Sequence, residues 1–303
     1  MKKLVKLGIF FIIIGLIFAF QDKFIDGYNI LLIKYDKKDT LSKNDYYRNS
    51  DFLFVQNTND FLPKKKQDLY NIYYTVINSG MEEFTFYCDF DYKNCLKDLK
   101  EIANDQSMLS NINNFVHPFN SFSHIETEYN NYGKVTIKLE HSYTDQEIKA
   151  IKEEMSKITT TLGINDSMSD VEKIRKYHDY IIDNTTYDVD RSDHGIIRYK
   201  SDTAYGPLFE GYAICGGYSD LMGLFLDEMN IKNFRVSSNI HVWNAVYING
   251  NWLNLDLTWD DPITNDGSNI IDDNYFLITT EKLESIEKKQ HTFNQEVYKE
   301  LAV

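Results

Sequence analysis

Residues 241–262, "HVWNAVYINGNWLNLDLTWDDP", contain a two-residue Asn249–Gly250 turn flanked by alternating strands, the signature of a tight β-hairpin. With Asn249 and Gly250 as the loop, Ile248 faces Asn251, and the register runs back through Trp243 opposite Asp256 to His241 opposite Thr258. Directly opposed residues share a face, so His241 and Asp256 become diagonal neighbours on one side. Val242, Val246, Leu255 and Leu257 take the other side, as an apolar set suited to a core. A slip of one residue would part the imidazole from the carboxylate.

A histidine backed by an aspartate is half of a catalytic device, and the chain upstream supplies a nucleophile. In "EGYAICGGYSDLMGLFLDEMNI" (210–231), Tyr218, Leu221, Met222, Phe225, Leu226 and Met229 recur at helical spacing. That leaves Asp220, Asp227 and Glu228 for water, with Asn230 as a stop. Cys215 falls at the helix start, where unpaired backbone N–H groups and the positive dipole end favour a thiolate and can stabilise an oxyanion. Gly216 and Gly217 are expected to clear a substrate's path to the sulfur. In this arrangement His241 takes the thiol proton, Asp256 fixes the imidazole tautomer, and the sulfur forms a thioester that water or an amine resolves. No metal or redox cofactor is called for. Tyr205 is an oxyanion candidate or a packing residue, and Trp243 and Trp252, on the triad's face, either line a substrate groove or cover the histidine.

These residues also carry a family likeness. "TAYGPLFEGYAICGGYSDLMGLFLDEMNI" (203–231) followed by "HVWNAVYINGNWLNLDLTWDDP" resembles the core of the bacterial transglutaminase-like superfamily, papain-like cysteine enzymes with a Cys–His–Asp triad. "EKIRKYHDYIIDNTTYD" (172–188) resembles the family's lead-in helix, and the likeness runs from about residue 169 to "NYFLIT", ending at 279. It implies an α+β fold in which a helix bearing Cys215 packs on an antiparallel sheet bearing His241 and Asp256. One position departs from the pattern: Gly216 stands where many members have glutamate. The likeness leaves open whether the product is a hydrolysed amide, a cross-linked protein, or no reaction at all in a surface-binding module that keeps the fold. Hydrolysis of protein or peptide outside the cytoplasm is the leading expectation, since water needs no second binding site.

The remaining sequence frames this core. "MKKLVKLGIFFIIIGLIFAFQDKF" places Lys2, Lys3 and Lys6 before an apolar run from Leu7 to Phe20. As a helix that run spans about 21 Å, short of a ~30 Å hydrocarbon layer, and reads as a signal anchor or a cleaved signal peptide over residues 1–20. Export makes Cys88 and Cys95 possible disulfide partners and Cys215 a free thiol. A small α+β domain of unassigned role is expected over 21–143, with a strand at 29–35, a helix from Lys64 to Gly80, a strand near 82–90, a short helix after Cys95 and a hairpin turning at Asn130–Gly133. The catalytic section, 144–303, opens with two helices whose capping boxes are Thr144/Glu147 and Ser169/Glu172. His178 lies on the second helix's apolar stripe as a core residue, and His117, His124 and His141 are scattered. Asp260, Asp261, Asp266, Asp272 and Asp273 read as a solvated acidic loop, since their spacing fits no EF-hand. A net charge of −14 excludes a general nucleic-acid binder, and 43% hydrophobic residues in 303 suffice for a substantial core.

Overall fold

The Lys66–Ser79 segment (α1) buries the expected stripe of Leu69, Ile72, Tyr73, Val76 and Ile77, and Gly80, at φ 73°, ends it by donating its N–H to Ile77 O. The computed structural model describes residues 40–89, 91–263 and 270–302. The apolar segment 1–20, the strand expected at 29–35 and Asp266 lie outside them. Among the described residues, no helix is long and apolar enough to cross a membrane.

After α1 come β1 (Glu83–Tyr87), α2 (Cys95–Asn104), α3 (Gln106–Asn113), β2 (Phe122–Tyr129) and β3 (Lys134–His141). The strands form an antiparallel sheet in the order β1-β3-β2, and β2 and β3 meet at the Asn130–Gly133 turn. A Cys88–Cys95 disulfide ties the end of β1 to the start of α2. Both capping boxes form, on α4 (Asp145–Thr161) and α5 (Asp170–Asp183). A short parallel pair, β4 (Thr186–Tyr187) and β5 (Tyr212–Ala213), flanks α6 (Val189–His194). Then follow α7 (Cys215–Glu228), β6 (Asn233–Ser237), β7 (Val242–Ile248), β8 (Asn251–Leu255) and α8 (Thr280–Ile286).

The antiparallel sheet β6-β7-β8 separates two cores. On one face, α7 and α5 pack Leu221, Phe225, Ile174 and Tyr177 against Val246, Ile248, Leu255 and Leu257. On the other, Phe234, Val236, Trp243 and Ala245 join Phe52, Phe84 and Phe115 of the amino-terminal section and Tyr298 and Leu301 of the carboxy-terminal tail. Burying a large apolar side chain is worth about 1.5–3 kcal/mol. Exposing Phe234, Val236, Trp243 and Tyr298 together would therefore cost on the order of 10 kcal/mol, comparable with a whole domain's stability. Residues on both sides of position 143 thus share one core and cannot swing apart.

Candidate active site

Cys215 is the first helical residue of α7, preceded by an extended Ile214, and no side chain caps the helix. The first-turn N–H groups are therefore left facing the region of the half-exposed thiol. The helix starts here because a strap, residues 200–203, lies across it. Ile214 N donates to Ser201 O at 2.7 Å. A Cβ on Gly216 would come within 2.8 Å of Asp202 O, and one on Gly217 within 2.5 Å of Ser201 O. The two glycines accordingly admit the protein's own backbone, where a substrate's path was expected. The strap is pinned below by Ser201 Oγ donating to buried Asp188 Oδ2 at 2.7 Å, and above by an Arg191–Asp202 pair at 2.6 Å.

The helix is more deeply set than its stripe implied. Every residue from Gly217 to Leu226 is buried, Asp220 included, because the helix runs between a sheet and other helices. Asp220 is paired with Arg235 and accepts from the Tyr143 hydroxyl at 2.6 Å. Asp227 is bound by Arg48 at 2.6 Å, which leaves Glu228 as the exposed acid of the three.

The hairpin holds the expected register from Ile248↔Asn251 to Asn244↔Leu255, and Asn249 and Gly250 take φ 52° and 82°. Beyond Leu255 the ladder stops, so Thr258 never stands opposite His241. The Asp256 carboxylate turns the chain by accepting from Thr258 N at 3.0 Å and Trp259 N at 3.3 Å through Oδ1, a local bond that competes with strand pairing. Its other oxygen still meets the imidazole: His241 Nε2 lies 2.6 Å from Asp256 Oδ2. Cys215 lies near enough to His241 to raise the ring's pKa, and with Nε2 taken by Asp256 the nitrogen left for sulfur is Nδ1. Burial would depress the His241 pKa, but the Asp256 carboxylate, with help from Cys215, carries it up to about 10. Burial pushes Asp256 upward, and His241 and then His291 outweigh it, holding the carboxyl well below the usual range.

His291, which nothing in "KKQHTFNQ" marks, is the unforeseen member of this site. It is fully buried, and its Nε2 lies 2.8 Å from the same Asp256 oxygen. His241, Asp256 and His291 also form the metal-capable trio among the described residues, with ligand atoms within 4.8 Å of one another. Nitrogen–oxygen separations of 2.6 and 2.8 Å suit N–H···O bonds, whereas two ligands of one tetrahedral ion at ~2.0 Å stand about 3.3 Å apart. The trio is a hydrogen-bonded unit.

Of the other expected residues, Trp243 covers the triad. Its ring is stacked 5.7 Å from His241 and fully buried, and Nε1 donates to Asn254 Oδ1 at 2.9 Å. Trp252 shares the face but pairs with Tyr247 near the turn, roughly 20 Å along the strand from His241 at ~3.3 Å per residue, and packs on Phe234. Tyr205 packs against Phe209 and beneath Lys200. A nearer tyrosine went unforeseen: Tyr187, opposite Ala213, has its phenol pKa raised by burial and by the proximity of Cys215. The acidic segment is only partly solvated. Asp260 is fully buried and 3.1 Å from core His178, and Asp261, bonded by the Tyr218 hydroxyl, is pushed by burial up to about 6.

No protein-family model matches the sequence, and no curated protein matches it. Among solved structures, the chain is similar to a TGase at 14% identity and TM-score 0.35, over 49% of this chain and 48% of that one. It is also similar to "a Putative Cysteine Protease from Cytophaga hutchinsonii" at 14% identity and TM-score 0.28, over 49% of this chain and 65% of that one. Both alignments span less than two thirds of the other protein's length.

Proposed function

We propose that the protein is a transglutaminase-like cysteine enzyme that transfers an acyl group from an amide through a thioester. The observation that carries this reading is His241, bound through Nε2 to Asp256, with its other nitrogen left free and its pKa raised by a half-exposed thiol at a helix start. Near neutral pH the proton shared by Cys215 and His241 rests on the ring, whose raised pKa keeps it there, and the sulfur attacks the amide carbon as the oxyanion meets the first-turn N–H groups of α7. His241 then protonates the departing nitrogen, the C–N bond breaks and a thioester remains. A water molecule gives its proton to His241 and its oxygen to the carbonyl carbon, releasing a carboxylic acid and restoring the thiol. An amine in place of water would give a new amide. Hydrolysis is the favoured outcome, on protein or peptide outside the cytoplasm. The disulfide and the cationic-then-apolar amino terminus support export, with residues 1–20 as a tether or a removed leader.

Iodoacetamide near neutral pH is expected to alkylate Cys215 far faster than an ordinary thiol, and His241→Ala to slow it. Ordinary kinetics in the wild type would favour a binding module. With casein and a labelled primary amine, cleavage without incorporation identifies a peptidase, and incorporation identifies a cross-linker. Either activity disappears in Cys215→Ala and falls about 10²–10⁴-fold in His241→Ala, the usual worth of a general base.

A further inference from the structure

His291 sits in a box of rings. Tyr275 is stacked on it at 5.6 Å, Trp243 meets it at 4.9 Å and Trp259 at 5.6 Å, and His241 stands edge-on at 5.3 Å. A ring needed only to fill this space would serve better as phenylalanine, because each buried polar nitrogen costs free energy unless bonded. Both nitrogens of His291 are bonded, and in a directed way. Nδ1 lies 3.1 Å from Glu287 Oε2 and 3.2 Å from Glu287 O, which sets the ring's rotation. Nε2 lies 2.8 Å from Asp256 Oδ2, the oxygen that also meets His241. Asp256 Oδ1 is already fastened to the backbone of Thr258 and Trp259, so it acts as a pivot and Oδ2 is the end that must be aimed.

We propose that His291 is a positioning residue for the site, bonding Asp256 Oδ2 beside His241 and so holding that oxygen against the His241 ring. The inference rests on reading Cys215, His241 and Asp256 as an acyl-transfer triad. It brings the carboxy-terminal segment after α8 into that machinery: Glu287 orients His291, His291 aims Asp256, and Asp256 holds His241 toward sulfur.

Two near-isosteres separate this role from packing. Glutamine at 291 places an N–H donor near the position of Nε2, facing Asp256, whereas asparagine places one near Nδ1, facing Glu287. The readouts are the iodoacetamide rate at Cys215 and the downfield proton resonance of His241 Nε2–H. His291→Gln is expected to keep both close to wild type. His291→Asn and His291→Ala are expected to lose the resonance and slow alkylation about 10- to 100-fold, the usual cost of removing a partner that orients a reactive group. Asparagine behaving like glutamine, or both behaving like alanine with melting transitions intact, overturns the proposal. If the Asn variant does not fold, His291→Gln against His291→Ala carries the test: glutamine keeping both readouts while alanine loses them supports the proposal, and the two behaving alike overturns it. Slow alkylation in the wild type would sink the acyl-transfer reading, while the resonance pattern among the variants reports on His291 alone.

Discussion

His241 and Asp256 bind each other in a place where neither charge would otherwise be tolerated. The His241 pKa rises from 6.5 to about 10 in the folded protein, so the pair's contribution to stability is complete below 6.5 and fades as pH climbs toward 10. Asp256 is shifted downward from 3.8, so its contribution is present above that value and is lost as pH falls further. The pair therefore stabilises most between about 4 and 6.5. Urea midpoints should decline between pH 6.5 and 10, and His241→Gln should flatten that decline. An equally steep slope in the variant would show that other groups titrate there. The same pairing fixes which nitrogen is free, since a ring held at Nε2 has only Nδ1 left to offer.

Helix α7 carries Cys215 at one end and a buried ion pair in its middle. Asp220 reaches Arg235 of β6 and the hydroxyl of Tyr143, so the charge on the helix is neutralised from the sheet below and from the segment leading into α4. Arg235 also donates to Asn113 O at 3.0 Å, linking β6 to the end of α3. Removing one partner of such a pair strands the other, at a cost of about 3–5 kcal/mol. Arg235→Met should lose about that much in denaturant unfolding, and Asp220→Asn in the same background should restore part of it by discharging the stranded carboxylate. An Arg235→Met protein as stable as wild type would mean that Asp220 is already neutral. The second element of note is the strap at 200–203, whose carbonyls fill the spaces left by Gly216 and Gly217 and so set where the helix begins.

Across the whole molecule, the sheet β6-β7-β8 is buried on both faces, and the bonded His241 and Asp256 lie where it ends: His241 precedes β7 and Asp256 follows β8. That end is closed by the tail, which sends His291 into the site and Tyr298 and Leu301 into the core shared with the amino-terminal section. The Cys88–Cys95 bridge lies in that section and closes a short loop, worth about 2–3 kcal/mol on a chain-entropy account. Reducing it should lower the unfolding midpoint accordingly while leaving alkylation of Cys215 unchanged in the native state. A drop in Cys215 reactivity on reduction would mean that the section does more than support the sheet.

Much of the site was legible because contiguous residues determine it. Asn249–Gly250 sets the hairpin register, the capping boxes set where α4 and α5 begin, and the spacing after Cys215 puts the thiol at a helix start; each depends on turn geometry or on a local period. His291 has no such pattern, and it enters the site only because the tail folds back across the sheet. Trp252 had the right face and the wrong end, since alternation specifies sides while distance along the strand decides contact. Asp220 and Asp260 looked solvated because a charge reads as exposed until a partner appears, and Arg235 and His178 come from elements remote in the chain. Periodicity and turn chemistry are short-range properties that the sequence alone determined; which polar groups are buried, and by whom they are satisfied, was decided by tertiary structure, because only the packed chain brings their partners within bonding distance.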